Sequence, residues 1–428
     1  MVSLCASAPF RPELDLLLCA CRTEIDVKVA RSILEREIDW SYLVNTSIKQ
    51  SVTALLFRGL KTVGSDVLPP WTTLLARLFV EKQRGFNLFL AAELVRILDA
   101  LKGRGIEALP FKGPVLAATV YGDLGLRRFR DLDFMIHERD ILPCWDVLRK
   151  LDYVVDTGRR ETIEAAIRKY SGQDEFCRRD GRVMVEPHWA FGPSTLALSI
   201  DYDGLWKRAR PVDFAGLKTP SFAPEDVVIM LCVHGCKEQW RKLQCICDVA
   251  EVIHAYPSLD WPAVVALARS QKCLRMVLLG LALASRLMGA GLPAELRVLL
   301  DADPITVDLA KEVERSIFDP QSVARSVYEI CRFRLRMRDS LGDKVRYVVR
   351  TVTTPRASHF AVANLPEPLF IGYYPLKLIH DYLLLPAWQA KKRFRRGDIA
   401  GGLLPAARGH GANREIGGSQ KKRQQRCH

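Results

Sequence analysis

The stretch RDLDFMI, residues 130–136, sets two carboxylates inside an apolar run. Successive side chains on a β-strand point to opposite faces, so Asp131 and Asp133 share one face while Leu132 and Phe134 share the other. Two like charges side by side on a strand repel each other. Either that face is solvated or a cation sits between the acids. Mg²⁺ is the natural cation, because it prefers carboxylate oxygens together with substrate phosphates. The segment therefore reads as a short strand with a core on one side and chemistry on the other.

The neighbouring elements predict an α+β arrangement. Leu90, Leu94, Ile97, Leu98 and Leu101 mark one face of a helix over 86–101. KGRG stops it, and IEALPFKG reads as a strand. Gly113-Pro114 is a turn with proline at a helix start, followed by the short helix VLAATVYG. DLGLRRFR is a loop leading into the two-acid strand. DILPCWDVLRKLDY continues as a helix, VVDT as a strand, and EFCRRDGRVMVEPHWAF as a hairpin turning at Asp180-Gly181. PELDLLLCACR and VARSILEREIDWSYLVNTSI are helical in period. From Pro224, whose neighbours Glu225 and Asp226 suit a helix N-terminus, helices dominate to about residue 390. The expected organisation is an N-terminal helical region (1–85), a core with a small mixed β-sheet (86–215), a larger C-terminal helical domain (216–390) and a basic tail (391–428) without the apolar periodicity needed to fold.

The net charge of +14 is unevenly spread. Residues 391–428 carry eleven Lys or Arg against two acids, while the other 390 residues carry 52 basic and 47 acidic side chains. A uniformly basic nucleic-acid-binding body is thereby excluded. The segment LFIGYYPLKLIHDYLLLPAWQAKKRFRR (369–396) runs from apolar and aromatic residues into a basic cluster. It reads as a core helix with a solvated end, and a weak contact with an anionic membrane or nucleic acid through the basic tail is the alternative. The N-terminus has no signal-peptide pattern, and MVLLGLALASRLMGAGL (276–292) is interrupted by Arg286, which favours a buried helix over a spanning one. The twelve cysteines are scattered over a long chain, unlike a secreted disulfide scaffold. A cytoplasmic location is the expectation.

The candidate site collects Lys112, Gly113, Arg127, Asp131, Asp133 and Glu186. Glu186, on a later strand, is the third acid. Two divalent ions can clamp the attacking and leaving oxygens of an in-line phosphoryl displacement. Gly113 lets backbone approach closely, and the following helix directs N–H groups at an anion. Lys112 and Arg127 can neutralise charge on a triphosphate.

With these residues in this order the chain resembles the nucleotidyltransferase superfamily of the DNA polymerase β type. More narrowly, LPFKGPVLAATVYGDLGLRRFRDLDFMI and VEPHW are similar to a bacterial group known as uncharacterised nucleotidyltransferases, as are His234, Trp240 and Asp248 in a later helical stretch. The likeness runs over roughly residues 14–390. It implies a polymerase-β-like core and transfer of a nucleoside monophosphate from a nucleoside triphosphate, with release of pyrophosphate. Two Mg²⁺ ions, with Mn²⁺ as an alternative, would be held by Asp131, Asp133 and Glu186, and phosphates by Lys112 and Gly113. The acceptor stays open among a small molecule, a sugar, a protein and an RNA end.

Two positions depart from the superfamily pattern. Pro114 stands where a second small residue is usual and removes a backbone N–H. Pro187 suggests that the strand bearing Glu186 lies at a sheet edge or ends there. A catalytically impaired nucleotide-binding protein is therefore an alternative reading, and a nucleic-acid binder acting through the tail is another. His188 and Trp189 read as packing residues, and His234 with Asp248 as a buried pair. Cys232, His234, Cys236, Cys245 and Cys247 lack the spacing of paired-cysteine zinc sites.

Overall fold

The computed structural model describes residues 11–64, 68–155, 161–192, 194–319, 326–355, 357–363 and 365–384. The basic tail expected at 391–428 lies outside the described residues. The fold is α+β, mostly helical with a small mixed sheet. Its contacts divide the chain into two compact units that are not contiguous in sequence. One takes residues 1–134 and 198–340, the other 135–197 and 341–428.

The first unit opens with α1 (Pro12–Ala20), α2 (Val27–Leu34), α3 (Trp40–Lys49) and α4 (Thr53–Val63). The run VARSILEREIDWSYLVNTSI is two helices, not one. Asp39 ends the continuity: its carboxylate accepts the backbone N–H of Tyr42 at 2.9 Å and so caps α3. The long α5 (Pro70–Lys102) begins at a proline well before residue 86. It leads to β1 (Ala108–Pro110), α6 (Gly113–Thr119) and β2 (Asp131–Ile136), inside which the boundary between the units falls. Later come α9 (Tyr202–Arg208) and the hairpin β6 (Arg210–Phe214) and β7 (Leu217–Ser221). Ala215 and Gly216 turn this hairpin, both with positive φ, as a two-residue turn requires. The sequence reading had no strands here. The hairpin is tied to β1 by the Ser221 hydroxyl donating to Pro110 O at 2.7 Å, and by stacked Phe111 and Phe222.

The rest of the first unit is a helical bundle: α10 (Pro224–Lys237), α11 (Leu243–Ala255), α12 (Trp261–Ser270), α13 (Leu274–Met288), α14 (Ala294–Asp301), α15 (Pro304–Ser316) and α16 (Val327–Arg336). The apolar run at 276–292 becomes α13, buried along most of its length, with Arg286 paired to Glu314 at its margin. No helix of the described residues is long and apolar enough to cross a membrane.

The second unit contains α7 (Ile141–Lys150), β3 (Tyr153–Val154), α8 (Glu161–Tyr170), β4 (Phe176–Arg178) and β5 (Met184–His188), then α17 (Leu341–Thr353), α18 (Ala357–Val362) and α19 (Tyr373–Ile379). Within it β3 pairs antiparallel with β4, and β4 with β5, with Phe176 opposite Val185. The expected turn is present: Gly181 is left-handed, and the Asp180 carboxylate accepts the N–H of Arg182. The five strands follow the order β1-β2-β5-β4-β3. β5 is therefore not an edge strand, although it does end at His188, one residue past Pro187. The proline is tolerated because the ladder there needs only its carbonyl, which accepts the N–H of Asp174 at 3.2 Å.

Candidate active site

The residues Lys112, Gly113, Arg127, Asp131 and Asp133 all belong to the first unit. β2 carries the two acids as the alternation requires. Leu132 and Phe134 on its other face are fully buried, which fixes the register, because a one-residue slip would drive the acids into the core. Asp133 is itself buried, and Lys112 Nζ lies 3.0 Å from its Oδ1. Burial raises the pKa of Asp131, repulsion from Asp133 raises it further, and the charge of Lys112 opposes both. The face therefore concentrates negative charge, which Lys112 and, more weakly, Arg127 oppose.

Gly113 adopts φ +52°, a conformation that favours glycine. A Cβ there would stand 3.1 Å from the carbonyl oxygen of Asp131, so the turn lies directly against the start of β2. α6, which follows, is only seven residues long and has Pro114 in its first turn. Its supply of backbone N–H groups is correspondingly small.

Arg127 is buried in a bidentate pair with Asp248 of α11, Nε to Oδ1 at 2.8 Å and Nη2 to Oδ2 at 2.9 Å. The Tyr121 hydroxyl donates to the same Oδ1 at 2.7 Å. Burial alone would lower the pKa of Arg127, but Asp248 outweighs it and holds the guanidinium charged. For Tyr121, burial and then the Asp248 charge push the hydroxyl well above its usual range, so it stays a donor. Asp248 thus takes an arginine and a tyrosine as partners, where the sequence reading paired it with His234. The reason is geometric: a carboxylate accepts a two-pronged guanidinium in plane and still has a lone pair for the hydroxyl.

The loop between Tyr121 and Arg127 is held from outside this trio. Asn87 Nδ2 donates to Arg127 O at 2.9 Å, Gln244 Nε2 donates to Arg128 O at 2.7 Å, and Arg84 pairs with Asp123. Backbone that precedes the acid strand is therefore fixed by α5 and α11 side chains.

His234 of α10 is the residue whose place the sequence reading undervalued. Burial pushes its pKa well below the usual histidine value, and the charges of Lys112 and Lys237 add to this, against a smaller opposing effect of Asp133. It is a neutral imidazole in the electrostatic reach of the acid strand. The helix end behind it is tightly built. Gln239 and Trp240 both have positive φ, Trp240 N–H donates to Gly235 O at 2.8 Å, and the indole is fully buried against Gly235 and Gly280. Two consecutive left-handed non-glycine residues carry strain that the surrounding packing must sustain. Cys232 and Cys236 are buried in the same helix, with Cys236 Sγ 3.8 Å from Met276 O.

Glu186 lies on β5 in the second unit and is half-buried. Its Oε2 accepts from Gln173 Nε2 at 2.8 Å and lies 3.6 Å from His188 Nε2. His188 is buried, and Trp189 packs edge-on against Trp145 of α7. Packing is what the sequence suggested for both; Trp189 does pack, whereas His188 also turns Nε2 toward Glu186.

A mixed sheet that carries two acids on one strand face, behind a glycine turn and a lysine, defines a nucleotidyltransferase-like site. The profile of the uncharacterised nucleotidyltransferase family matches residues 36–289, more than half of the chain, and the protein belongs to that family. The match spans the acid strand, the Tyr121–Arg127–Asp248 trio, Glu186 and His234. Neither a curated protein nor a solved structure matches the chain. Membership makes the protein a nucleotidyltransferase in class and implies a nucleoside triphosphate as its substrate.

Proposed function

We propose that the protein transfers a nucleoside monophosphate from a nucleoside triphosphate to an acceptor hydroxyl and releases pyrophosphate. The observation that carries this reading is the β2 face, where Asp131 and Asp133 stand together and Lys112 Nζ rests 3.0 Å from the Asp133 carboxylate. The β2 donors suit Mg²⁺ or Mn²⁺: two carboxylates, one half-buried and one buried, with a lysine ammonium beside them. Asp131 and Asp133 would hold the ions, with Glu186 of β5 as the third acid. Bound, the metal supplies Lewis-acid stabilisation of the attacking and leaving oxygens.

The chain's own groups act around that centre. Lys112 exchanges its contact with Asp133 for the triphosphate and balances charge there. Gly113 keeps side-chain bulk away from the phosphates. Arg127 uses Nε and Nη2 to fix the loop through Asp248, which leaves Nη1 for an anion. Glu186 is the acid suited to take the proton of the acceptor hydroxyl.

The test is binding of each ribonucleoside triphosphate by thermal shift, with and without Mg²⁺, followed by pyrophosphate release with candidate small-molecule, sugar, protein and RNA acceptors. Ligand at about 100 times its dissociation constant stabilises by roughly 2.7 kcal/mol, a shift of a few degrees. The shift should need Mg²⁺ and vanish in Asp131→Asn/Asp133→Asn, and turnover should fall by about 10²-fold or more in Asp133→Asn. Full activity in that variant would sink the proposal. Lys112 on Asp133, and Pro114 in place of an N–H donor, favour a second reading as a nucleotide-binding protein without turnover. A Mg²⁺-dependent shift with no pyrophosphate from any acceptor would select it. The reading as a nucleic-acid binder rests on the tail, outside the described residues. It requires steep salt dependence that disappears when residues 391–428 are removed.

A further inference from the structure

α17, in the C-terminal part of the second unit, is built inside out. On α17, Leu341, Val345, Val348 and Val349 recur at i, i+4, i+7 and i+8, which is one helical stripe, and all four are exposed, Leu341 to 76%. The opposite face, buried in the unit, carries Asp343 and Tyr347. α19 also exposes apolar side chains, over an inner side where Tyr373 joins an aromatic cluster with Tyr170, Phe360 and Phe370. Ile371 just before it, then Tyr374, Leu378 and Ile379, face outward, while Tyr373 and Lys377 are fully buried. Lys377 Nζ donates to Thr351 O at 2.8 Å and to Thr354 O at 2.7 Å. Beside it the Asp381 carboxylate meets His359 Nε2 at 2.9 Å. Lys377 and His359 are thus buried, and Asp381 is half-buried beside them, while valines and isoleucines face out. Scattered exposed apolar side chains are ordinary, but a full stripe along α17, continued by the exposed apolar residues of α19, is not.

The charge around the stripes selects what covers them. α17 carries Lys344, Arg346 and Arg350, and its one acid, Asp343, is buried and lies 3.8 Å from Arg346 Nη1. The sequence just beyond α19 adds Lys391, Lys392, Arg393, Arg395 and Arg396, within a C-terminal segment of net charge +9. Outward apolar stripes flanked by basic residues match an interface with an acyl layer beneath anionic headgroups. The aliphatic side chains enter the acyl boundary, and lysine and arginine reach back to the phosphates. Neither helix is long and apolar enough to span a bilayer, so the contact is in plane. We propose that the α17/α19 face docks this protein on an anionic lipid bilayer. The inference does not depend on the chemistry assigned to β2.

The test is co-sedimentation of the full chain with vesicles of phosphatidylcholine alone, and of phosphatidylcholine with about one-third phosphatidylserine. Binding should be strong only to the anionic vesicles and should weaken several-fold between about 0.1 M and 0.5 M salt. Val345→Asp/Val349→Asp should cut partitioning by about tenfold or more, with a fall in melting temperature of no more than a few degrees because both side chains are half exposed and the chain stays folded. Lys344→Glu should reduce binding to anionic vesicles selectively. Absence of binding to anionic vesicles overturns the proposal. So does full binding by the double aspartate variant, which would assign the contact to the tail alone. A dimer in light scattering that the same variant splits, with no vesicle binding, would assign the face to a second copy.

Discussion

α13 and α17 are similar in length and opposite in construction. In α13 almost every residue from Met276 to Ala284 is buried, and the one charged side chain in its second half, Arg286, pairs with Glu314 at the margin. In α17 the apolar stripe points away from the unit, and an aspartate and a tyrosine point in. Both present apolar residues at helical spacing. The comparison shows that periodicity reports how wide an apolar face is, and leaves open which side of it the protein occupies. In the first unit the apolar face lies inside and encloses a few strongly paired polar groups. In the second, an aromatic cluster of Tyr170, Phe360, Phe370 and Tyr373 packs the helices, and a further apolar stripe, that of α17, faces outward.

The sharpest break of that contrast is Asp248→Ala. It leaves Arg127 buried without its bidentate partner and Tyr121 without its acceptor. Removing one side of a buried pair costs about 3–5 kcal/mol, a large share of the stability of a single domain. Urea unfolding should register this loss, and nucleotide-induced stabilisation should fall with it, because the loop leading to Asp131 loses its anchor. A loss under about 1 kcal/mol would mean that water reaches the pair and that the first unit is not sealed as described.

The two histidines sharpen the contrast by titration. Burial lowers the pKa of both His234 in the first unit and His359 in the second. For His234 the neighbouring cations add to the effect, whereas for His359 the Asp381 carboxylate opposes it. Each folded pKa lies below the unfolded value of 6.5, so on acidification the unfolded chain takes up its proton first. Stability is fully present above pH 6.5 and declines as pH falls toward each folded value, by at most about 1.4 kcal/mol per pH unit per histidine. The decline continues further for His234, whose pKa is depressed well below normal. Melting temperatures between pH 7.5 and 5 should therefore fall, and His234→Gln should flatten more of the fall than His359→Gln. Equal flattening by both variants would contradict the stronger depression of His234.

Much of the sheet was legible, and for a stated reason. Alternation in RDLDFMI, the Asp180-Gly181 turn and the glycine at 113 are local signals, and each element formed where those signals stood. Lys112 and Asp133 were named as site residues, and the fold brings them to 3.0 Å. The partner of Asp248 was not legible, because its choice of Arg127 over His234 depends on how a loop and a helix 121 residues apart in sequence meet. The β6–β7 hairpin was missed because RPVDF and LKTPS carry prolines and charges with little apolar alternation. Its stability comes from a two-residue turn and from packing on β1 instead. The direction of α17 was beyond periodicity altogether, since a buried Lys377 that satisfies two helix-end carbonyls is a tertiary fact.

The smallest effect is the most discriminating. Val348 sits on the outward stripe of α17, 43% exposed. Truncation to alanine removes little buried surface, and it replaces a β-branched residue by a better helix former. Val348→Ala should therefore change stability by no more than about 0.5 kcal/mol, with a slight gain as the favoured sign. The same truncation at a fully buried position of α13, Leu283→Ala, opens a cavity and should cost about 2–5 kcal/mol. Equilibrium unfolding of the two variants in the absence of lipid gives the comparison directly. If Val348→Ala cost as much as Leu283→Ala, the stripe would be covered within the free protein. The inside-out description of α17 would then be wrong, whatever the vesicle experiment reported.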